Sequence, residues 1–178
     1  MPTLPTLQLD PDLTRFVAGG VSINAGSASA AGVPSLCRAF GCRVDPGTGR
    51  LRVFFATSQA ADLVRDATGS GALAVVFSEP PTHRTVQIKG RDARLEPLAE
   101  GDLACVTAYR AAFAQCLVFL GFTEVMVRTL LDCPDEALVA LTFTPSALFN
   151  STPGAQAGTP LMSALTPLLA PLLAPGAP

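Results

Sequence analysis

Three groups of residues have types and spacing suited to ligand chemistry. Arg38, in SLCRAFGCRV (35–44), shares a strand face with Leu36 and Phe40. Its charge must reach solvent or find a partner. Thr57 and Ser58 follow directly on LRVFFA (51–56). A helix starting there offers free amides and two hydroxyls to an anion, and an arginine's planar fork suits phosphate. The third group lies in HRTVQIKGRDARL (83–95). With a period of two, Val86 and Ile88 take one face, while Thr85, Gln87 and Lys89 present a hydroxyl, an amide and a cation on the other. Such a row can hydrogen-bond the polar edge of a planar ring. Arg84 stands on the same stretch, and Gly90 marks a bulge or a close approach of chains.

Each group also has an ordinary reading. Thr57 and Ser58 can simply cap a helix. Arg38 can lie over a barrel rim or in a subunit salt bridge. Thr85, Gln87 and Lys89 can be a solvated strand face. Other chemistries find no pattern here. GSGALAV (69–75) is followed by no GK[ST], so it is not a P-loop. GxGxxG, HExxH and GxSxG are missing, as are paired carboxylates at a catalytic spacing. His83, the one histidine, follows a Pro-Pro-Thr turn without a Ser or Cys partner and reads as incidental. Tyr109 sits on an apolar stripe and reads as packing.

The elements that must position these groups follow from periodicity. Asp10 to Gly20 reads as a short amphipathic helical opening, and VSINA (21–25) alternates weakly. GSASAAGVP (26–34) has loop chemistry. Residues 35–44 read as a strand, DPGTG (45–49) as a turn and 51–56 as the second arm of a hairpin. TSQAADLVRDATGSG (57–71) is a short helix with Ala60, Leu63, Val64 and Ala67 as its stripe, ended by Gly69 or Gly71. LAVVFS (73–78) is a compact apolar strand. After Glu100, Tyr109, Ala112, Phe113, Cys116, Leu117 and Leu120 recur at helical spacing before Gly121. EVMVRTLL (124–131) is expected to be a strand pairing with ALVALTF (137–143), and residues 146–161 a loop rich in Gly and Pro. Strands thus dominate the first half, with one short inserted helix and one longer later helix. That order excludes a doubly wound sheet and fits a closed or half-closed antiparallel barrel.

Composition bounds the rest. The 178 residues suit a single domain with a sizeable core. Twelve Lys and Arg face fourteen Asp and Glu, and basic residues are not interleaved with aromatics, so nucleic acid is not an expected partner. So lightly charged a surface suggests cover by a partner subunit. The five cysteines, Cys37, Cys42, Cys105, Cys116 and Cys133, form no CxxC. They read as reduced thiols of a cytoplasmic protein without a structural metal. No secretory leader is expected from MPTLPTLQLDPDL. The Pro/Leu-rich tail from about residue 160 is too interrupted for a membrane span.

GVPSLCRAFGCRV, LRVFFATSQAADLVRDATGSGALAVVFS and HRTVQIKGRDARLEPL occur in the order found in the pyridoxamine 5'-phosphate oxidase-like superfamily, the FMN-binding split barrels. The chain resembles that superfamily from about Val21 to Leu95, and its later part resembles a poorly characterised branch. The resemblance implies a split β-barrel of about six antiparallel strands, paired as a homodimer with FMN at the interface. It implies phosphate-binding positions at Arg38, Thr57, Ser58 and Gln59, and cofactor contacts at Arg84, Thr85 and Gln87 with Lys89 nearby. TSQAADL stands where the authentic oxidases place a Ser-Arg-Lys triplet, and the chain end lacks their arginine and histidine pattern. The expected function is therefore an FMN-binding oxidoreductase acting on an unknown small molecule, not the vitamin B6 enzyme. The alternative is a non-enzymatic carrier or sensor of flavin, F420 or heme.

Overall fold

The computed structural model describes residues 7–163. The element order is α1 (Pro11–Ala18), β1 (Ser22–Ala28), β2 (Pro34–Arg38), β3 (Cys42–Val44), β4 (Leu51–Ala56), α2 (Thr57–Ser70), β5 (Leu73–Ser78), β6 (Thr85–Gly90), β7 (Arg94–Glu96), α3 (Asp102–Phe119), α4 (Glu124–Leu130), β8 (Leu138–Phe143), β9 (Ala147–Asn150) and β10 (Pro160–Ser163). A six-stranded sheet runs β10-β9-β6-β5-β1-β2, and a four-stranded sheet runs β3-β4-β8-β7. All pairings are antiparallel. These two sheets and four helices form a split β-barrel with both expected helices in place. Of the expected Pro/Leu-rich tail, Pro160–Ser163 form β10 and the remainder lies outside the described residues.

The core lies between the sheets. Ile23, Ala25, Val75, Phe77, Val86, Ile88 and Leu148 enter it from the six-stranded sheet, and Val53, Phe55, Leu141 and Phe143 from the four-stranded one. β4 is buried at every position, as a strand covered on both faces must be. α2 packs Ala60, Leu63 and Ala67 inward and ends at Gly71. Gly71 has φ +72°, and a Cβ there would meet the Arg91 carbonyl oxygen at 2.5 Å.

Three expectations are corrected. Residues 35–44 form two strands in different sheets. The Ala39 amide bonds the Ile23 carbonyl on β1 (2.9 Å), and the next amide, that of Phe40, bonds the Phe54 carbonyl on β4 (2.7 Å). The sheets are exchanged within one peptide unit, with Gly41 at φ +136° completing the corner. Beyond Arg38 the chain turns inward, so Leu36 is 78% exposed while Phe40 and Cys42 are buried. Residues 124–131 are helical, not extended. Thr123 caps α4 through the Met126 amide, Glu124 and Arg128 pair one turn apart (2.6 Å), and Val127 and Leu131 face the core. The β-branched Val125, Val127 and Thr129 favour a strand by propensity alone, but the cap and the i,i+4 pair set the period. Finally, residues 146–161 contain β9 and the start of β10, because Leu148 buries itself opposite Ile88.

α3 is positioned at both ends. At its start, the fully buried Asp102 accepts from Arg43 Nε (2.6 Å), from an Arg52 guanidinium nitrogen (2.6 Å) and from the Ala99 amide (2.8 Å). Arg52 also bonds Glu96 and the Pro97 carbonyl. This network ties the helix to β3 and β4. Farther along, Gly20 lets the chain ahead of β1 touch the α3 backbone at Ala112. Between these anchors Val106, Tyr109 and Phe113 are buried. Among the described residues α3 is the one helix long and apolar enough, by length and composition, to cross a membrane.

Candidate ligand site on the outer face of the six-stranded sheet

The residues of β1, β5, β6 and β9 that alternate with the core set form the sheet's outer face. Register aligns them in rows. One row runs Arg38, Asn24, Val76, Gln87, Phe149, and the next runs Leu36, Gly26, Ala74, Lys89, Ala147. The floor is therefore small or apolar, with amides from Asn24 and Gln87 in one line. Lys89 is exposed, its ammonium 4.8 Å from the centre of the Phe149 ring. Asn24 and Phe149 join the predicted row only through strand order, which the sequence of β1 or β9 alone does not reveal.

Arg38 ends this row at the corner between the sheets. It stands two residues before Phe40, whose amide is bonded to Phe54, and Thr57 lies three residues beyond Phe54. Arg38 and the start of α2 thus lie two and three residues along the chain from the bonded Phe40 and Phe54. At the start of α2 the cap residue is Ala56, which has no side chain to satisfy the first amides. Thr57, Ser58 and Gln59 are exposed. The predicted capping by Thr57 or Ser58 does not occur, and the helix start is left open.

The Arg38 guanidinium lies over the Phe113 ring, 5.2 Å from its centre, and Phe113 stacks on Tyr109 at 5.6 Å with an 11° interplanar angle. Arg38 is half-buried. Every other partly buried arginine among the described residues bonds a carboxylate: Arg43 and Arg52 hold Asp102, Arg50 holds Asp92, and Arg110 holds Asp135. Arg38 bonds none. The Tyr109 hydroxyl is also buried without a hydrogen-bond partner. Burial pushes the Tyr109 phenol well above its ordinary range, and the Arg38 charge acts in the opposite direction.

Two predicted contacts are committed elsewhere. Arg84 turns to the other side of the sheet from Thr85. It bonds Asp12 of α1 (2.8 Å) and lies 4.3 Å from the centre of the Phe16 ring. Thr85 is buried, and its hydroxyl is shared with Ser78 (2.8 Å) and the His83 carbonyl (2.9 Å). The predicted set therefore divides. Arg38 stands at the corner, the start of α2 follows β4, Gln87 and Lys89 lie on the floor, and Arg84 and Thr85 serve the fold. His83 occupies the turn between β5 and β6 with φ +59°. An L-residue there costs roughly 1–2 kcal/mol, part of which glycine's larger unfolded-state entropy offsets. His83→Gly is expected to raise stability by about 0.5–1 kcal/mol, read as a higher urea midpoint. A lower midpoint would show that the imidazole makes a compensating contact.

The cysteine thiols carry no activation. Burial pushes Cys42 well up and Cys37, Cys105, Cys116 and Cys133 up as well.

No family model and no curated protein matches the chain. Solved structures do. Tagged HupZ of Group A Streptococcus is 12% identical, with a TM-score of 0.51 over 85% of this chain and all of its own. A single-alanine variant of HupZ gives 10% identity and a TM-score of 0.50 over 80% and 99%. A candidate pyridoxamine 5'-phosphate oxidase of Lactobacillus delbrueckii is 14% identical, with a TM-score of 0.49 over 84% and 99%. The likeness to HupZ is one of fold, over most of both chains, and that fold is the split barrel described above.

Proposed function

We propose that the protein binds a phosphorylated planar cofactor of the flavin class, FMN or the deazaflavin F420, as a carrier or sensor. The observation that supports this most directly is Arg38, a half-buried arginine without a carboxylate, two residues before the Phe40 amide that bonds Phe54, the strand of which runs into an uncapped helix start. An anionic group supplies what both lack. Asn24 and Gln87 on the floor suit the hydrogen-bonding edge of a flavin ring, and Val76 and Phe149 suit its apolar faces. Both cofactors carry phosphate, which favours them over heme. Heme would need an iron ligand, and the chain's one histidine is His83, in the β5–β6 turn.

A bound flavin would supply the electron chemistry, while this chain holds and orients it. The row proposed to meet the ring offers two amides, a valine and a phenylalanine, none of them a proton donor or acceptor near neutral pH, with the Lys89 ammonium in the next row. That favours binding without turnover over a dedicated oxidoreductase. The latter reading gains ground if the bound flavin is reduced by NAD(P)H and passes its electrons to an acceptor. A homodimer completes the proposal: a second copy would cover the floor together with Leu36, which is 78% exposed beside it.

Arg38→Ala is expected to weaken FMN binding about tenfold to a hundredfold, the range for a charge-assisted hydrogen bond. Titration calorimetry on the purified chain measures it, with mass spectrometry identifying whatever the unmodified protein releases. Equal affinity in the two proteins removes Arg38 from the site. A chain that captures neither FMN nor F420 removes the function.

A further inference from the structure

β2 closes one end of the six-stranded sheet, and its outer edge is open. The Ala39 amide bonds the Ile23 carbonyl, and the Ser29 amide bonds the Val33 carbonyl. In the β1–β2 register the pairs 25/37 and 27/35 therefore exchange hydrogen bonds as well. The alternate residues Pro34, Leu36 and Arg38 turn their backbone groups away from β1. Leu36 thus offers an amide and a carbonyl to an incoming strand, and it is 78% exposed. Such an edge is a template for pairing with another chain.

A cavity of about 460 Å³ lies between this strand and α2, its wall including Ser35, Leu36, Asp62, Arg65 and Asp66. Two groups in the wall are under-satisfied. Ser35 is 8% exposed, and its hydroxyl has no hydrogen-bond partner. The Asp66 side chain is 4% exposed. One of its oxygens accepts from Arg65 Nε (3.0 Å), and the other accepts nothing among the described residues. The nearby Ser35 hydroxyl and the Arg65 guanidinium hold this carboxyl below its ordinary range against the opposing effect of burial, so it is charged near neutral pH. Arg65 also holds Asp62 (2.6 Å). One guanidinium therefore serves two carboxylates, and the wall keeps a net negative charge.

We propose that β2 is a docking edge for an extended basic peptide, which adds as an antiparallel strand and places a lysine or arginine in the cavity between β2 and α2. The peptide residue opposite Leu36 exchanges both backbone bonds with it and covers its side chain on the outer face. The next peptide residue lies opposite Ser35 and shares its inward face, where a cationic head meets Asp66 and Ser35. The recognised pattern is an apolar residue followed by a basic one. Main-chain bonds supply the affinity and the cavity supplies the specificity. Other occupants lack the cation. Residues 164–178 contain no Lys or Arg, and β2 of a second copy, paired through Leu36, would set Cys37 opposite Ser35. The added strand lies in the plane of the sheet, so a second copy can still cover the floor from its outer side, and the docking stands whether or not the chain binds a flavin.

The probe is fluorescein-Thr-Val-Leu-Lys-Val-Thr-amide, titrated with the full chain and read by fluorescence anisotropy. Replacing its lysine with norleucine is expected to weaken binding about tenfold. Methylating its leucine nitrogen, which removes the donor to the Leu36 carbonyl, is expected to weaken it by about the same factor. Asp66→Asn, close in shape to the native side chain, is expected to bring the lysine and norleucine peptides to within about twofold of each other. A norleucine peptide that binds the native chain as tightly as the lysine peptide overturns recognition by the cavity. Indifference to the methyl group overturns strand addition. A native chain that does not bind the lysine peptide overturns the proposal as a whole.

Discussion

Asp102→Ala is expected to lower the unfolding free energy by about 3–5 kcal/mol, the cost of removing one partner from a buried ion pair. At roughly 2–4 °C per kcal/mol for a chain of this size, the melting temperature should fall by about 6–20 °C. The carboxylate is fully buried and meets two guanidinium groups and a backbone amide. Truncation leaves Arg43 without its carboxylate and leaves Arg52, 7% exposed, with Glu96 as its one remaining counter-charge. Asp102→Asn keeps the side chain's size and loses the charge. A loss close to that of alanine would assign the effect to charge. The same group makes the fold acid-sensitive. Burial pushes the Asp102 carboxyl up, but the bonds from Arg52, Ala99 and Arg43 outweigh it and hold the value below the ordinary one. Its contribution is thus fully present above the unfolded-state value, about 3.9, and is lost as the pH falls through the lower folded-state value. Urea midpoints from pH 7 down to pH 3 should decline steeply below about pH 4 in the native chain and less steeply in Asp102→Ala. A variant within 2 °C of the native melting temperature (roughly 1 kcal/mol) would show that the network contributes little.

Gly20→Ala carries the second large effect, expected at about 2–3 kcal/mol of destabilisation. The added Cβ would lie 2.6 Å from the Ala112 carbonyl carbon, 2.7 Å from its oxygen and 2.9 Å from the Phe113 amide nitrogen. All three belong to helical backbone, so no rotamer change relieves the clash. Either α3 lifts or residues 19–21 retreat, and Val17 and Val21, buried on either side, resist the second course. Gly26→Ala supplies the control. Its Cβ would press the end of the Leu36 side chain at 3.0 Å, and Leu36 is exposed and can swing away. A Gly20→Ala chain as stable as Gly26→Ala would mean that the α3 backbone yields easily. Because Phe113 lies under Arg38, the displacement should also weaken FMN retention, which a purely local defect would not do.

The sequence is informative where a pattern is local. α2 declares itself by a stripe and a terminal glycine, β6 by strict alternation, and the Asp45–Gly49 turn by its composition. What periodicity cannot express is exchange between sheets: Arg38 and Phe40 look like neighbours on one face, yet adjacent amides at 39 and 40 serve different strands. The same limit hides Asn24 and Phe149, whose place beside Gln87 depends on pairing across the sheet. Alternation put Arg84 near the ligand row without showing that Asp12 of α1 would claim it. Tyr109 read as packing because its ring is packing; only the unpaired oxygen at its tip distinguishes it.

The burial of β4 on all six residues has a bearing on biosynthesis. This strand is made early, yet its partner β8 follows only after three helices and three further strands have been translated. Until then Val53, Phe54 and Phe55 belong to an unfinished hairpin with one side open. A nascent chain arrested before residue 138 should therefore bind chaperones or precipitate, and fast release of the C-terminal third from the ribosome should favour soluble yield.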